Sequence, residues 1–179
     1  MTTDIKKARK ILSIVPIGII EPGILNALAA HLDKTFPVDP SIRASLHIPD
    51  TAYDPGRRQY RSGDILALLR KFESAKVLGI SDKDLYSGKL NFIFGEAECP
   101  GTYALISMAR LRQEFYGLPA DKELLLKRTI KEAVHELGHT YGLTHCAKRD
   151  CVMHFSGSLH DTDRKQSAFC PKCFKSLDI

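Results

Sequence analysis

Residues 135–145 read His-Glu-Leu-Gly-His-Thr-Tyr-Gly-Leu-Thr-His, an uninterrupted H-E-x-x-H-x-x-G-x-x-H pattern. No other stretch constrains the fold as strongly, because the spacing requires a helix through residues 135–139 that stops near Gly142. Side chains four apart share one face of an α-helix, so His135 and His139 present two ring nitrogens to one point. Glu136, one step round the helix, reaches the same region without joining the pair. Glycine takes positive φ at little cost, so Gly142 lets the chain turn back and bring His145 in from outside the helix. Neutral imidazole binds zinc at about 2.0–2.1 Å, and three protein ligands leave a fourth position for water, which separates a catalytic zinc from a structural one. The expected roles are metal ligand for His135, His139 and His145, and general base then acid for Glu136. Zinc-activated water would attack a carbonyl, and Glu136 would carry its proton to the leaving amine. The chemistry implied is metal-assisted hydrolysis, most often of a peptide bond. Ordinary helix histidines, solvated or in the core, are the competing explanation of an H-x-x-x-H pair. The further constrained positions, with glycine at the turn, weigh against it.

Cys146 follows His145 directly, Cys151 comes after four intervening residues, and Cys170-Pro171-Lys172-Cys173 after eighteen more. Two close pairs separated by a loop is the layout of a closed four-thiolate zinc site. A tail of about thirty residues buries too little to fold alone, whereas structural zinc supplies roughly 10–16 kcal/mol of apparent folding free energy in small peptides. Two disulfides, an iron–sulfur cluster and inert buried thiols are the alternatives, and disulfides need an oxidising compartment. Successive side chains in extended backbone point to opposite sides, so the thiolates are expected just behind the histidines, fixing His145. Met153, taken alone, reads as a gap-filling core residue. Cys99 is the odd thiol, read as a plain buried or loop cysteine, with a zinc-capping latency thiol as the alternative.

These residues resemble the metzincins, zinc peptidases whose long histidine motif is followed by a methionine-containing turn beneath the metal. Within that clan the sequence is similar to the archaemetzincins, whose pattern adds C-x4-C-x-M and a later C-x2-C. Cys146, Cys151, Met153, Cys170 and Cys173 fall on it. The resemblance is tight over residues 135–173 and elsewhere rests on element order. It implies a mixed α+β (α/β) fold: a twisted mixed β-sheet with packed helices above an active-site helix, and a small irregular C-terminal subdomain with a structural zinc site. Residues 1–179 would form a single domain, with an N-terminal subdomain of about 1–142, a C-terminal one of about 143–179, and the cleft between them. It implies two zinc ions, a catalytic one on His135, His139 and His145 and a structural one on Cys146, Cys151, Cys170 and Cys173. Met153 would form the floor, Glu136 would be the base, and the substrate would be a short peptide, with aminopeptidase-like action suggested for some members. The alternative is a noncatalytic zinc-binding interaction protein that retains the scaffold. Intact Glu136 argues against it, since a carboxylate there has no ligand duty. A redox-regulated protein with cysteine switches is a third reading. One departure stands out: some metzincin branches carry tyrosine two residues after the turn methionine, where this chain has Phe155. His154 and His160 are read as loop or surface residues.

The length of 179 residues suits one domain, and 44% hydrophobic residues is ordinary for a globular chain. No run of eighteen apolar residues occurs, so no transmembrane helix and no membrane partner are expected. Of the net charge of +5, the first ten residues contribute +3 (Lys6, Lys7, Arg9 and Lys10 against Asp4), which places most of the excess in an expected terminal tail. Arg57, Arg58 and Arg61 cluster around Tyr60 in an expected solvated loop. Nucleic-acid binding normally shows a stronger basic footprint, so no nucleic-acid partner is expected. A monomer is expected. The N-terminus imitates a secretion signal, with basic residues before the apolar run 11–20 and Ala27-Leu28-Ala29 resembling a cleavage site. Pro16, Gly18 and Glu21-Pro22-Gly23 interrupt that pattern, and the segment also reads as strand then helix. A retained N-terminus and a reducing cytoplasm are therefore expected, which suits four thiolates.

Strands are expected over residues 11–18, 38–48 (edge-leaning, given Pro37, Pro40 and Pro49), 75–81, 90–94 and 102–108. Helices are expected from Pro22 to about Lys34, from Ser62 as N-cap to about Phe72, and from Asp121 to about Leu143. The last would pack through Leu126, Ile130, Ala133, Val134, Leu137 and Tyr141. Residues 51–61 and most of the chain beyond Leu143 read as loop. By the resemblance, the strand near residues 90–95 would run antiparallel at the sheet edge and line the cleft, where an extended peptide could add by main-chain hydrogen bonds. A simple edge strand without a ligand is the alternative.

Overall fold

Ile14, Val15 and Ile17 are wholly buried, and this β-branched run forms an interior strand because such side chains fit a pleat covered on both faces. The computed structural model describes residues 9–177. In chain order the elements are β1 (Lys10–Ile17), α1 (Pro22–Thr35), β2 (Val38–Ile42), β3 (Tyr53–Asp54), β4 (Gln59–Arg61) and α2 (Ser62–Leu69). There follow β5 (Lys76–Ser81), β6 (Leu85–Tyr86), β7 (Gly95–Ala97), β8 (Tyr103–Ser107), α3 (Lys122–Thr140), α4 (Leu159–Arg164) and α5 (Pro171–Ser176). The main sheet has the order β2-β1-β5-β8-β7. Its pairings are parallel except β7–β8, which is antiparallel and places β7 at one edge. A small second sheet, β3-β4-β6, pairs β3 and β4 antiparallel and β4 and β6 parallel. The fold is thus α+β with two mixed sheets.

Alternation along the strands divides the core. Leu12 and Ile14 of β1, Leu78 and Ile80 of β5, and Ala104 and Ile106 of β8 face α1 and α3. Val15, Ile17, Val77 and Leu105 face α2 through Ile65 and Leu69. Helix α1 buries Ile24, Leu25, Leu28 and Leu32, as its periodicity requires. In α3 the expected face holds at Ala133, Val134 and Leu137, with Leu125 buried beside them, while Leu126, Ile130 and Tyr141 lie at its half-buried margin. Burial of Leu125, Val134 and Leu137 contributes about 1.5–3 kcal/mol each, so α3 is a fixed carrier under the sheet. The C-terminal segment joins the same core through Leu143, Val152, Met153 and Leu177.

Several expectations are corrected. The strand expected over 38–48 ends at Ile42, and the chain returns to the sheet only at the single bridge Leu46↔Ile17. Residues 51–61 are no loop: β3 and β4 form a hairpin, and Arg57 is a tether, its guanidinium 4.2 Å over the Tyr86 ring and donating to Leu90 O at 2.5 Å. Ser62 is not the N-cap of α2. It sits inside the helix and donates to Tyr86 O at 3.0 Å, with Arg61 at the cap, and the helix stops at Leu69 rather than near Phe72. Residues 90–94 form an arch, not a strand: its backbone makes isolated bonds, Ile93 N to Leu85 O at 3.0 Å and Ser107 N to Phe94 O at 2.8 Å, rather than a continuous ladder, and Gln59 Nε2 donates to Asn91 O at 2.9 Å. The strand begins only at Gly95. Beyond Leu143 the chain includes α4, capped by Ser158, and α5, started by Pro171. These six-residue helices are too short to show a period. Of the basic tail, residues 1–8 lie outside the described residues, but Arg9 is tied to Asp33 and donates to Asp39 at 2.8 Å, and Lys10 opens β1.

Helix α3 is capped by Asp121, whose Oδ1 accepts from Leu124 N at 2.8 Å. Asp121→Ala should lower unfolding stability by about 1 kcal/mol, read as a lower urea midpoint with an unchanged slope.

Candidate metal centre and cleft

Helix α3 ends where its sequence tells it to. Tyr141 closes the last turn, and Gly142 adopts φ +88°, a conformation that strains any residue with a Cβ. The reversal brings His145 over the helix, so that the His135, His139 and His145 rings stand 4.7, 5.3 and 5.0 Å apart, centre to centre. One nitrogen from each lies within 4.8 Å of the others. The His135 and His139 Nε2 atoms are 3.1 Å apart. Their Nδ1 atoms meet Val152 O at 2.8 Å and Leu143 O at 2.7 Å. A carbonyl only accepts, so each Nδ1 carries the proton and each Nε2 offers a lone pair. Burial is the main cause holding all three histidines below the usual imidazole range, so they stay neutral near pH 7. Two facing lone pairs at this separation call for a cation between them, and tetrahedral zinc would set neighbouring nitrogens about 3.3 Å apart. The donor set therefore fits zinc.

Glu136 is buried, and Gly95 on β7 makes room for it: a Cβ there would lie 2.5 Å from Glu136 Oε1. Burial above all, then the negative charges of Glu132 and Glu96, push its carboxyl well above the usual range. Met153 is wholly buried beneath α3, and a Cβ on Gly138 would come within 2.5 Å of its Sδ. The helix thus rests on the methionine where the missing Cβ of Gly138 gives the sulfur room.

Cys146, Cys151, Cys170 and Cys173 converge on a second point, their sulfurs within 4.8 Å of one another. Cys146 and Cys170 Sγ are 3.9 Å apart, close to the roughly 3.8 Å of a tetrahedral Zn–S site and far beyond a disulfide bond. All five cysteines are free. The Cys173 backbone N–H holds the Cys170 thiol down to about 7, whereas burial pushes Cys151 and Cys173 up. Backbone N–H groups of Cys170 and Lys148 donate to Cys151 and Cys146 Sγ at 3.3 and 3.4 Å. This cluster fits a structural zinc site. The two clusters adjoin in the chain, His145 belonging to one and Cys146 to the other. The two clusters are joined by the Cys151–Val152–Met153 turn, which supplies the carbonyl orienting His135, while Cys146 N donates to Met153 O at 2.9 Å.

A cavity of about 450 Å³ opens over the histidines, lined by residues 90–97 on one side and by Phe155, Ser156 and Gly157 on the other. The chain matches the family model of peptidase family M54 over residues 59–179. An archaemetzincin of Methanocaldococcus jannaschii is 46% identical over 164 residues, covering 92% of this chain and 90% of that protein. The crystal structure of an archaemetzincin from Methanopyrus kandleri superposes with a TM-score of 0.84 at 39% identity, covering 95% of this chain and 94% of that one. That of an Archaeoglobus fulgidus archaemetzincin complexed with malonate gives 0.81 at 38% identity, covering 93% and 99%.

The chain belongs to peptidase family M54, the archaemetzincins.

As a member of that family it is a zinc metallopeptidase, a hydrolase that acts on peptides. Phe155, where some metzincin branches carry tyrosine, is 54% exposed, and its ring centre lies 5.1 Å from that of His145. Among the described residues no tyrosine lines the cavity. His154, read as a loop or surface residue, is half-buried in a bend outside the cavity lining, its Nδ1 donating to Cys146 O at 2.9 Å. Cys99 lines the cavity and donates weakly to Leu143 O at 3.5 Å. Glu132 and Gly95 are cleft residues that sequence reasoning missed. Glu132 was findable, since it precedes Glu136 by four residues and shares its helix face. Gly95 was not, since only the sheet shows what it faces.

Because one turn serves both clusters, damage to the thiolates should reach the histidines. Cys170→Ser should lower zinc content at the histidine site as well as order in residues 143–177, measured by metal analysis and amide hydrogen exchange. Full zinc at the histidine site despite a disordered tail would separate the two.

Proposed function

We propose that this chain hydrolyses short peptides at a zinc ion held by His135, His139 and His145, with Glu136 as general base and then general acid, and that a second zinc on Cys146, Cys151, Cys170 and Cys173 is structural. The observation that carries this reading is the pair of Nε2 lone pairs aimed at one point beside a buried carboxylate. Zinc, when bound, lowers the pKa of its water toward about 7 and polarises a carbonyl. Glu136 takes a proton from the attacking water and delivers it to the departing amine nitrogen, and its burial suits a carboxyl that must hold that proton between the two steps. Gly95 lets the carboxylate reach the cleft, and Met153 props the helix from below. Strand β7 ends the sheet, so its outer main-chain groups are available for an extended peptide to join as a further strand. The exposed Leu90 and Phe155 at the two rims offer apolar contact to it.

Glu96, which also lines the cleft, is engaged by the Ser62 hydroxyl and by Ser87 Oγ at 3.1 Å, and so is not free to hold a substrate's amino terminus. In this reading residues 1–142 and 143–179 are two parts of one domain, the second a metal-stapled cap to the first. Five free cysteines suit a reducing, cytoplasmic setting, and a complete site within one chain suits a monomer. Among the described residues no helix is long and apolar enough to cross a membrane.

Peptide-library cleavage read by mass spectrometry on wild type and Glu136→Ala tests the reading. Products should appear with wild type and fall by at least about a hundredfold in the variant. Equal products from both would leave a noncatalytic zinc-binding protein as the better account. Metal analysis should find two zinc ions per chain. A chelator should remove one quickly and the buried thiolate-bound one slowly, with cleavage lost in step with the first.

A further inference from the structure

Behind Glu136 lies a charged pair that the proposed chemistry leaves unused. Lys165, at the end of α4, is 1% exposed, and Glu132, one turn before Glu136 on α3, is 2% exposed. Lys165 Nζ donates to Glu132 Oε2 at 3.2 Å and pairs with Oε1 at 3.1 Å. Thr162 Oγ1 donates to Glu132 Oε1 at 2.8 Å and Ser156 Oγ at 3.4 Å. The lysine is fixed in place because α4 is clamped to α3: Arg128 makes a two-point contact with Asp163 at 2.6 and 2.7 Å, and Lys131 Nζ donates to Thr162 O and Asp163 O. Two charges buried together gain little over an apolar pair of the same volume, so stability alone does not explain them. Their position is informative. Glu132 does not sit in the interior of the core; it walls the cleft beside Ser156 and Gly157.

Which part of a substrate meets this wall follows from the proposed mechanism, on which this inference rests. The group that protonates the departing amine stands on the amine side of the scissile bond. Glu136 and, one turn behind it, Glu132 therefore flank the side chain of the residue that follows that bond. We propose that the Glu132–Lys165 pair determines which side chain this subsite accepts: internally neutralised, it admits uncharged side chains and rejects both basic and acidic ones. A basic side chain finds the Glu132 carboxylate already matched by Lys165 behind it, and an acidic one meets that carboxylate with Glu136 beyond it. Neither gains a free counter-charge to offset its own loss of water.

The pair makes a sign-specific test available. Lys165→Met leaves a carboxylate without its cation, and Glu132→Gln leaves a cation without its carboxylate while keeping the side-chain shape. The full-length, zinc-loaded protein and its variants are assayed at pH 8 on peptides randomised at the residue after the scissile bond. Wild type should cleave peptides with uncharged residues there about tenfold faster than those with either charged class. Lys165→Met should raise the basic-to-uncharged rate ratio about tenfold, Glu132→Gln should raise the acidic-to-uncharged ratio, and the combined variant should return to the wild-type ranking. A merely structural pair would change rates without opposite shifts in charge preference. Single variants that move the ratios in the same direction, or not at all, overturn the proposal. Should Lys165→Met fail to fold, as thermal unfolding would show, Glu132→Gln and the combined variant decide it. Wild type that cleaves nothing overturns the peptidase reading and this inference together, whereas wild-type cleavage with unmoved variants overturns this inference alone.

Discussion

Two imidazole nitrogens whose lone pairs face each other at 3.1 Å repel unless a cation lies between them, and much of this structure serves to hold them there. Val152 O and Leu143 O fix the two ring orientations from behind. Helix α3 cannot relax away, because Ala133, Val134 and Leu137 are locked into the sheet on one side and Gly138 rests on Met153 on the other. A rigid helix, not a loop, carries the donors, which is what a metal demanding fixed bond lengths requires.

The thiolate cluster belongs to the same device. Residues 143–177 contribute few large apolar side chains to the core, and α4 and α5 are too short to stand alone. Four converging sulfurs replace the missing hydrophobic surface, and the turn they pin supplies both the Val152 carbonyl and the Met153 floor. The second cluster is thus part of the construction of the first, since the orienting carbonyl lies one residue from a cysteine.

The cleft owes its polarity to residues that no metal touches. Glu136 is buried among carboxylates, Glu132 is matched by Lys165, and Glu96 is held by serine hydroxyls on the opposite face of β7. Its apolar rim, the arch at residues 90–94, hangs from Arg57 and Gln59 of the β3–β4 hairpin. The small second sheet therefore helps shape the substrate wall although it contributes nothing to the metal site.

The sequence alone determined the metal chemistry and the helix that carries it. An eleven-residue motif with i, i+4 ligands and a terminating glycine has one geometric solution, and the cysteine spacing that follows has few. It also determined β1, α1, β5, β8 and α3, whose apolar periods are long enough to name their own faces. Tertiary structure decided what local periodicity cannot encode. It gave residues 90–94 an arch and put the edge strand at Gly95, because side chains of the β3–β4 hairpin and isolated backbone bonds to Leu85 and Ser107, not a continuous ladder, hold the arch. It turned residues 53–61 into a hairpin, and it made helices of two six-residue segments with no period to read. It brought Lys165 to Glu132 across 33 residues of chain, a pairing of buried opposite charges that only the packing of α4 on α3 creates.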